Sequence, residues 1–222
     1  MKPAPNQSRM QELLERGGIH LNREQLNQLW RYHSLLRNRN QDRELTRIIE
    51  FESIVVKHYV DCMIVPKFLT LPSPLLDVGT GAGFPGIPLK IRCPHLEIIL
   101  AEPRPKRVLF LEEAIREIGL RRTRVFEHKV VSASFQERVG GVITRAVETM
   151  DKTCLRTSGC LGEGAKLIFM KGPGVEPELG ILKQRFSKSF RIVQDEHYTL
   201  PHTQHERRLV VLEKLVPPEI RQ

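Results

Sequence analysis

The chain has 222 residues, of which 40% are hydrophobic and 27% are charged, and its formal net charge is +9. This length and composition fit one globular domain of moderate size with at most a small appended element. No apolar run approaches the roughly 20 residues that cross a bilayer, and the first residues form no apolar signal region, so we expect a cytoplasmic protein. The basic surplus predicts an anionic partner: nucleic acid is the commonest, and an acidic membrane surface is the alternative.

Apolar spacing predicts helices in the first 70 residues. Between residues 9 and 37 apolar side chains recur with helical spacing, which Gly17 and Gly18 interrupt. A second apolar group, from Ile48 to Val56, predicts a helix that ends near Pro66. We therefore expect residues 1–70 to form a helical N-terminal cap.

The pattern changes in residues 71–222, where short apolar runs alternate with helical stretches. Strands are predicted at 75–78, 96–100, 124–126, 142–144, 166–170, 190–193 and 208–213. Helices are predicted after the first strand, at 106–118 and around Leu155, with none between the last two strands. This order predicts an α/β fold with a doubly wound, Rossmann-like parallel sheet and a closing antiparallel hairpin.

A glycine-rich segment, Asp77-Val-Gly-Thr-Gly-Ala-Gly-Phe-Pro-Gly86, follows the first predicted strand. A strand, a glycine turn and a helix in this order place a ligand at the carboxyl edge of a parallel sheet. Gly81, Gly83 and Gly86 match the dinucleotide pattern G-x-G-x-x-G. Read from Asp77 through Gly79, Gly81 and Gly83, the same segment matches D-x-G-x-G-x-G, which is typical of S-adenosylmethionine sites.

Electrostatics favours the second interpretation. A carboxylate at Asp77 would repel a pyrophosphate but attract the sulfonium and ammonium groups of S-adenosylmethionine. Glu102, at the end of the second predicted strand, can accept hydrogen bonds from both ribose hydroxyls of an adenosine. We therefore predict S-adenosylmethionine as the cofactor and a class I methyltransferase fold, and we disfavour a nicotinamide-dependent oxidoreductase.

The segment Leu76–Leu89 closely resembles the cofactor loop of the small-subunit rRNA guanine-N7 methyltransferases, also called glucose-inhibited division protein B. Further motifs agree in order: His58-Tyr-Val-Asp61, Lys106-Arg-Val-Leu-Phe-Leu111, Ile143-Thr-Arg-Ala146, Met170-Lys-Gly172 and Glu206-Arg-Arg-Leu-Val-Val211. The resemblance covers residues 25–215. It implies a methyltransferase that forms 7-methylguanine in small-subunit rRNA, whether as free RNA or in an assembling particle.

The resemblance also implies site residues. Gly79 and Phe84 would contact the cofactor, Val130 and Val131 would line the adenine pocket, and Arg145 would reach the cofactor or the substrate cleft. We add Lys171 to Arg145 as a substrate-binding residue because both follow predicted strands at the carboxyl edge. His58 and Asp61 are interpreted either as a structural pair or as part of the substrate cleft.

Four positions depart from the family pattern: Arg39, Glu44, Val131 and Arg208. The departures at Arg39, Glu44 and Val131 sustain one alternative, a non-catalytic RNA-binding module with a degraded cofactor site. A methyltransferase that acts on another RNA is a second alternative.

No catalytic side chain is predicted. Guanine N7 carries a free lone pair at neutral pH, so the reaction requires alignment rather than a general base. Cys154 is rejected as a nucleophile because it falls within a predicted helix. The other three cysteines form no C-x-x-C pair and His202 and His205 lack further ligands, so we expect no metal site.

Overall fold

The structure is a computed structural model that describes residues 5–131, 133–145 and 147–215. Its helices are α1 (Gln7–Arg16), α2 (Arg23–Arg43), α3 (Phe51–Ile54), α4 (Asp61–Met63), α5 (Gly86–Arg92), α6 (Pro105–Ile118), α7 (Met150–Thr157) and α8 (Glu176–Arg185). A π-helix, Val55–Val60, joins α3 to α4, and 3-10 turns occupy Val65–Lys67 and Ser158–Cys160. Among the described helices, none has the length and apolar character needed to cross a membrane.

One mixed sheet forms the centre of the molecule. Its strands are β1 (Leu75–Val78), β2 (Ile98–Ala101), β3 (Thr123–Phe126), β4 (Val139–Arg145), β5 (Leu161–Lys171), β6 (Phe190–Thr199) and β7 (Glu206–Lys214). The spatial order is β3-β2-β1-β4-β5-β7-β6. The first five strands pair in parallel, whereas β7 pairs antiparallel with both β5 and β6. The predicted α/β class and the closing antiparallel hairpin are confirmed.

Alternate side chains of each strand pack into different cores, because successive strand residues point to opposite sheet faces. Leu75, Ile98 and Ile143 join the core beneath α1 to α6, whereas Leu76 and Val142 join the core beneath α7 and α8. The predicted N-terminal helices therefore share a core with one face of the sheet. A division of the chain at residue 70 stays a prediction, and residues 1–4 and 216–222 of the two proposed units lie outside the described residues.

One local prediction was wrong, and one helix was not predicted. Ile48 and Ile49 precede α3 rather than belong to it, and the Ile49 side chain is 71% exposed. Helix α8 was not predicted, because it contains Pro177 and Gly180 and buries few apolar side chains.

Parallel pairing brings the carboxyl ends of β1, β2, β4 and β5 to one edge of the sheet. Asp77 lies opposite Leu100 and Ile143, and Arg145 lies opposite Met170. Side chains that follow these strands are therefore assembled at a single edge, although they come from distant parts of the sequence.

Candidate cofactor and substrate site

The glycine turn after β1 is held by Asp77. Its Oδ2 accepts hydrogen bonds from the Thr80 hydroxyl at 2.6 Å and from the Gly86 backbone N–H at 2.8 Å. Gly86 is the first residue of α5, so the carboxylate also satisfies a free donor at that helix terminus. Asp77 Oδ1 is fully buried and receives no hydrogen bond from the described residues. Burial raises the Asp77 pKa from 3.8 to about 7.

The turn requires glycine for conformation and for space. Gly79, Gly81 and Gly83 have φ values of 71°, 62° and 102°, a region that side chains disfavour. A Cβ on Gly79 would lie 2.7 Å from the Val147 side chain, so the loop after β4 packs directly on the turn. A ligand can therefore approach the backbone of this turn closely only while these positions remain glycine.

Glu102 lies beside the turn at the end of β2. Its Oε2 accepts the Gly81 N–H at 3.1 Å and its Oε1 accepts the Arg104 N–H at 3.0 Å. The Arg107 guanidinium lies 3.8 Å from Oε2. A carboxylate offers about four acceptor positions, so Glu102 can still accept two further donors.

Phe84 connects the turn to the N-terminal helices. Its ring stacks on His58 with centroids 4.4 Å apart, and the Arg145 guanidinium lies 5.2 Å from its centroid. It also packs edge-on against Tyr32, whose hydroxyl donates to the Ala82 carbonyl. The ring is 7% exposed, so Phe84 fixes the turn against the helices.

Arg145 is the centre of a buried charged network. It donates to Asp61 Oδ2 at 3.2 Å, to the Lys57 carbonyl at 3.1 Å and to His58 Nδ1 at 3.0 Å. Arg207 of β7 donates to the other oxygen, Asp61 Oδ1, at 3.0 Å. His58 and Asp61 are thus joined through Arg145 and both border a cleft; that this cleft binds the substrate stays a prediction.

His58 is held neutral in one tautomer. An arginine only donates, so His58 Nδ1 must accept and Nε2 carries the proton; Nε2 lies 3.0 Å from Thr46 Oγ1. Burial, and then the neighbouring Arg145, lower the His58 pKa to about 3. Asn40 fixes Thr46 in turn, because its side chain bonds both the N–H and the carbonyl of Thr46.

Lys171, at the end of β5, is also paired. Its Nζ lies 3.0 Å from Glu178 Oε2 and donates to the Glu148 carbonyl at 2.8 Å. The side chain is 11% exposed. Binding of substrate by Lys171 stays a prediction, and it would require Lys171 to exchange or share these partners.

The remaining predicted residues are placed as follows. Val130 is buried in the core beneath α7 and α8, and Val131 is half-buried with its N–H bonded to Ser134. Their contact with an adenine stays a prediction. Ala146, the last residue of the motif that begins at Ile143, lies outside the described residues.

Three departures from the family pattern have local explanations. Arg39 pairs with Glu113 of α6 at 2.6 Å. Glu44 ends α2 in the left-handed conformation with φ 49°. Arg208 forms a two-pronged pair with Asp195 across the β6–β7 hairpin. None of these three residues contributes to the glycine turn.

Arg207 was missed by sequence reasoning, although it lies within the motif Glu206–Val211. Its partner Asp61 is 146 residues away in the chain, so only the fold brings them together. Cys154 is buried in α7, where burial raises its pKa to about 12, so a reactive thiolate is not favoured there.

The residues of the edge suit S-adenosylmethionine. The orphaned Asp77 Oδ1 can attract a cation, Glu102 has capacity for a pair of hydroxyls, and the glycine backbone admits a ligand at short range. These three features lie together at the carboxyl ends of the paired strands β1 and β2.

The comparisons with known proteins identify the family of the chain. A family model described as rRNA small subunit methyltransferase G, GidB, matches residues 25–211. The chain is 48% identical to ribosomal RNA small subunit methyltransferase G 2 of Syntrophobacter fumaroxidans, over 97% of this chain but only 43% of that relative's length. It is 41% identical to the protein of the same name in Bdellovibrio bacteriovorus, covering 86% of this chain and 74% of the relative.

A third relative, ribosomal RNA small subunit methyltransferase G of Carboxydothermus hydrogenoformans, is 33% identical over 89% of this chain and 87% of its own length. Among solved structures, the StiE O-MT fragment 961–1257 matches with a TM-score of 0.58 and 18% identity, over 80% of this chain and 81% of that one. The ribosomal protein L11 methylase of Lactobacillus delbrueckii subsp. bulgaricus matches with a TM-score of 0.55 and 13% identity, over 72% and 79%. These two structures support the fold alone.

Proposed function

The chain belongs to the rRNA small subunit methyltransferase G family, and on that premise we propose that it transfers a methyl group from S-adenosylmethionine to N7 of a guanine in small-subunit rRNA. The observation that carries this proposal is the edge formed by Asp77, the glycine turn and Glu102, next to a cleft bordered by Arg145. We propose a cytoplasmic enzyme whose substrate is the rRNA, either free or in an assembling subunit particle.

The cofactor, when bound, supplies an electrophilic methyl group on a sulfonium. The protein's own residues hold it: Glu102 accepts the ribose hydroxyls, the turn from Gly79 to Gly83 admits the ligand at backbone distance, and Asp77 attracts its positive charge. Val130 and Val131 border the adenine in this proposal. Each of these contacts uses a group whose position is already fixed by hydrogen bonds or packing.

The target guanine needs alignment rather than deprotonation, because N7 has an available lone pair. Positioning of two reactants alone can lower a barrier by about 7–11 kcal/mol. Arg145 is suited to this role because Asp61, His58 and Phe84 fix its guanidinium from three sides. The neutral state of His58 follows from the same arrangement, so it acts by holding Arg145 and not by accepting a proton.

An RNA helix hides N7 in a deep and narrow major groove. The substrate guanine must therefore be unpaired or splayed when it enters the cleft. The net charge of +9 favours association with such an RNA through its phosphates.

A transfer assay tests the proposal. Purified protein is incubated with radiolabelled S-adenosylmethionine and either free small-subunit rRNA or small-subunit particles. We expect label in 7-methylguanine from at least one of the two substrates, and the better substrate identifies the natural one. Label found only in another nucleotide, or in neither substrate, would contradict the proposal.

A further inference from the structure

A cleft of about 370 Å³ opens at the carboxyl ends of β4 and β5. It is bordered by Lys57, His58, Asp61, Arg145, Met170 and Arg207. Arg145 lies between this cleft and the glycine turn, because its guanidinium contacts Phe84 of the turn as well as Asp61 of the cleft. A ligand in the cleft is thus adjacent to the cofactor site, and the volume is within the range of small-molecule pockets.

Asp61 is the acidic residue of this cleft. Its side chain is 4% exposed, and each carboxylate oxygen accepts a hydrogen bond from one arginine, Arg145 or Arg207. Each oxygen retains a second acceptor position. The Arg207 side chain is 23% exposed, and its Nη2 has no hydrogen bond to another residue in the described part of the chain. The Asp61 carboxylate thus has remaining acceptor positions beside Arg207 Nη2, which can donate.

The two edges of guanine make opposite demands on a methyltransferase that acts at N7. A donor placed on the Hoogsteen edge, at N7 itself, would occupy the lone pair that must react. The Watson–Crick edge carries two donors, N1–H and the 2-amino group, beside the O6 acceptor, and its recognition leaves N7 free. Unpaired bases in RNA are commonly read on this edge.

We propose that the Asp61–Arg207 pair reads the Watson–Crick edge of the target guanine, with Asp61 accepting from N1–H and the 2-amino group and Arg207 donating to O6. This inference rests on the proposed function and deepens it by assigning the base-specificity residues. Adenine presents a donor and an unprotonated N1 on the corresponding edge, so a carboxylate rejects it. Buried polar groups left without partners are a strong source of such rejection.

Substrate analogues test the assignment in the unmodified protein. The target guanine is first mapped, and a short RNA containing it is synthesised with guanosine, inosine or 1-methylguanosine at that position. Inosine lacks the 2-amino group, and 1-methylguanosine lacks N1–H. We expect kcat/KM to fall about 10- to 100-fold with each analogue, since each loses a hydrogen bond to a charged group. Equal rates for all three RNAs would overturn the assignment.

An RNA with 7-deazaguanosine separates this inference from the proposed function. If that RNA is methylated as well as the guanosine RNA, or if the guanosine RNA is not methylated, the proposed function is wrong. If methylation depends on N7 but 1-methylguanosine and inosine react normally, only the reading of the Watson–Crick edge is wrong.

The variant Asp61→Asn provides a second readout. It removes an acceptor, so the preference for guanosine over inosine should fall by about tenfold or more, a ratio that a general loss of folded protein would leave unchanged. Asp151→Asn is the matched control, because Asp151 of α7 also pairs with an arginine, Arg185 of α8, but does not border this cleft. Its guanosine-to-inosine ratio should equal that of the unmodified protein. An unchanged ratio in Asp61→Asn would contradict the proposal.

Discussion

At the scale of single residues, Glu102 is the most specific test of the cofactor site. Glu102→Gln keeps the size of the side chain but removes the charge that two ribose hydroxyls would meet, so the affinity for S-adenosylmethionine should fall by on the order of 1–3 kcal/mol. Glu102→Asp should retain most of the affinity because it retains the carboxylate. Calorimetry compares both with Glu112→Gln, an exposed acid of α6, and equal affinity in all three would remove Glu102 from the site.

Asp77 gives a prediction about pH. Burial raises its pKa in the folded protein from 3.8 to about 7. Between these two pH values, Asp77 is therefore protonated in the folded state but ionised in the unfolded state. The contribution of protonated Asp77 to the free energy of unfolding is complete below pH 4. It declines as the pH rises towards 7, by about 4 kcal/mol in total if no other group compensates.

The measurement is urea unfolding of the unmodified protein and Asp77→Asn at pH 5 and pH 7.5. The difference in free energy of unfolding, unmodified minus variant, should be smaller at pH 7.5. A difference that is the same at both pH values would show that Asp77 ionises as readily in the folded state as in the unfolded chain.

At the scale of elements, the end of α2 carries avoidable strain. Glu44 is exposed and adopts φ 49°, a conformation in which asparagine and glycine are preferred. Glu44→Asn should raise the free energy of unfolding by about 0.5 kcal/mol, because asparagine adopts this backbone conformation with less strain. The backbone carbonyl of residue 44, which accepts a hydrogen bond from Arg107, is unaffected by the change. Glu24→Asn, an exposed position near the start of α2, is the control and should show no gain; destabilisation by Glu44→Asn would contradict the account.

The elements also show what local sequence can predict. The strand Leu75–Val78 and helix Pro105–Ile118 were predictable because their apolar periods are regular and are bounded by glycine or proline. Helix α8 was not, since Leu179 and Leu182 are its only buried residues within the helix bounds. The π-helix at Val55–Val60 has no recognisable sequence signal, yet it presents Lys57 and His58 to Arg145.

At the scale of the whole molecule, the glycine turn could be predicted from local sequence, whereas the ion pairs of the cleft could not. Asp77 and the glycines lie within ten residues of sequence, so their geometry is a local property. The network of Asp61, Arg145 and Arg207 joins residues 84 and 146 positions apart. Its ion pairs depend on the pairing of β4, β5 and β7, which one sequence does not specify.

The basic charge of the whole molecule predicts salt-dependent RNA binding. Arg23 and Arg121 are exposed on a cleft of about 850 Å³ between α2 and the end of α6. Replacement of both by glutamine should weaken RNA binding and reduce the salt slope by roughly 2. The control pair is Lys183 of α8 and Lys188, which lies just before the edge strand β6; both are exposed and neither borders this cleft. A salt slope that neither pair changes would exclude this cleft as an RNA contact.

We propose that this chain forms 7-methylguanine in small-subunit rRNA. The direct measurement is mass-spectrometric mapping of modified guanines in that rRNA from cells with the gene, without it, and with it restored as Glu102→Gln. We expect one guanine to carry a 7-methyl group when the unmodified protein is present, to lack it without the gene, and to carry it at strongly reduced occupancy with the variant. An rRNA whose 7-methylguanine content is the same in all three strains would contradict it.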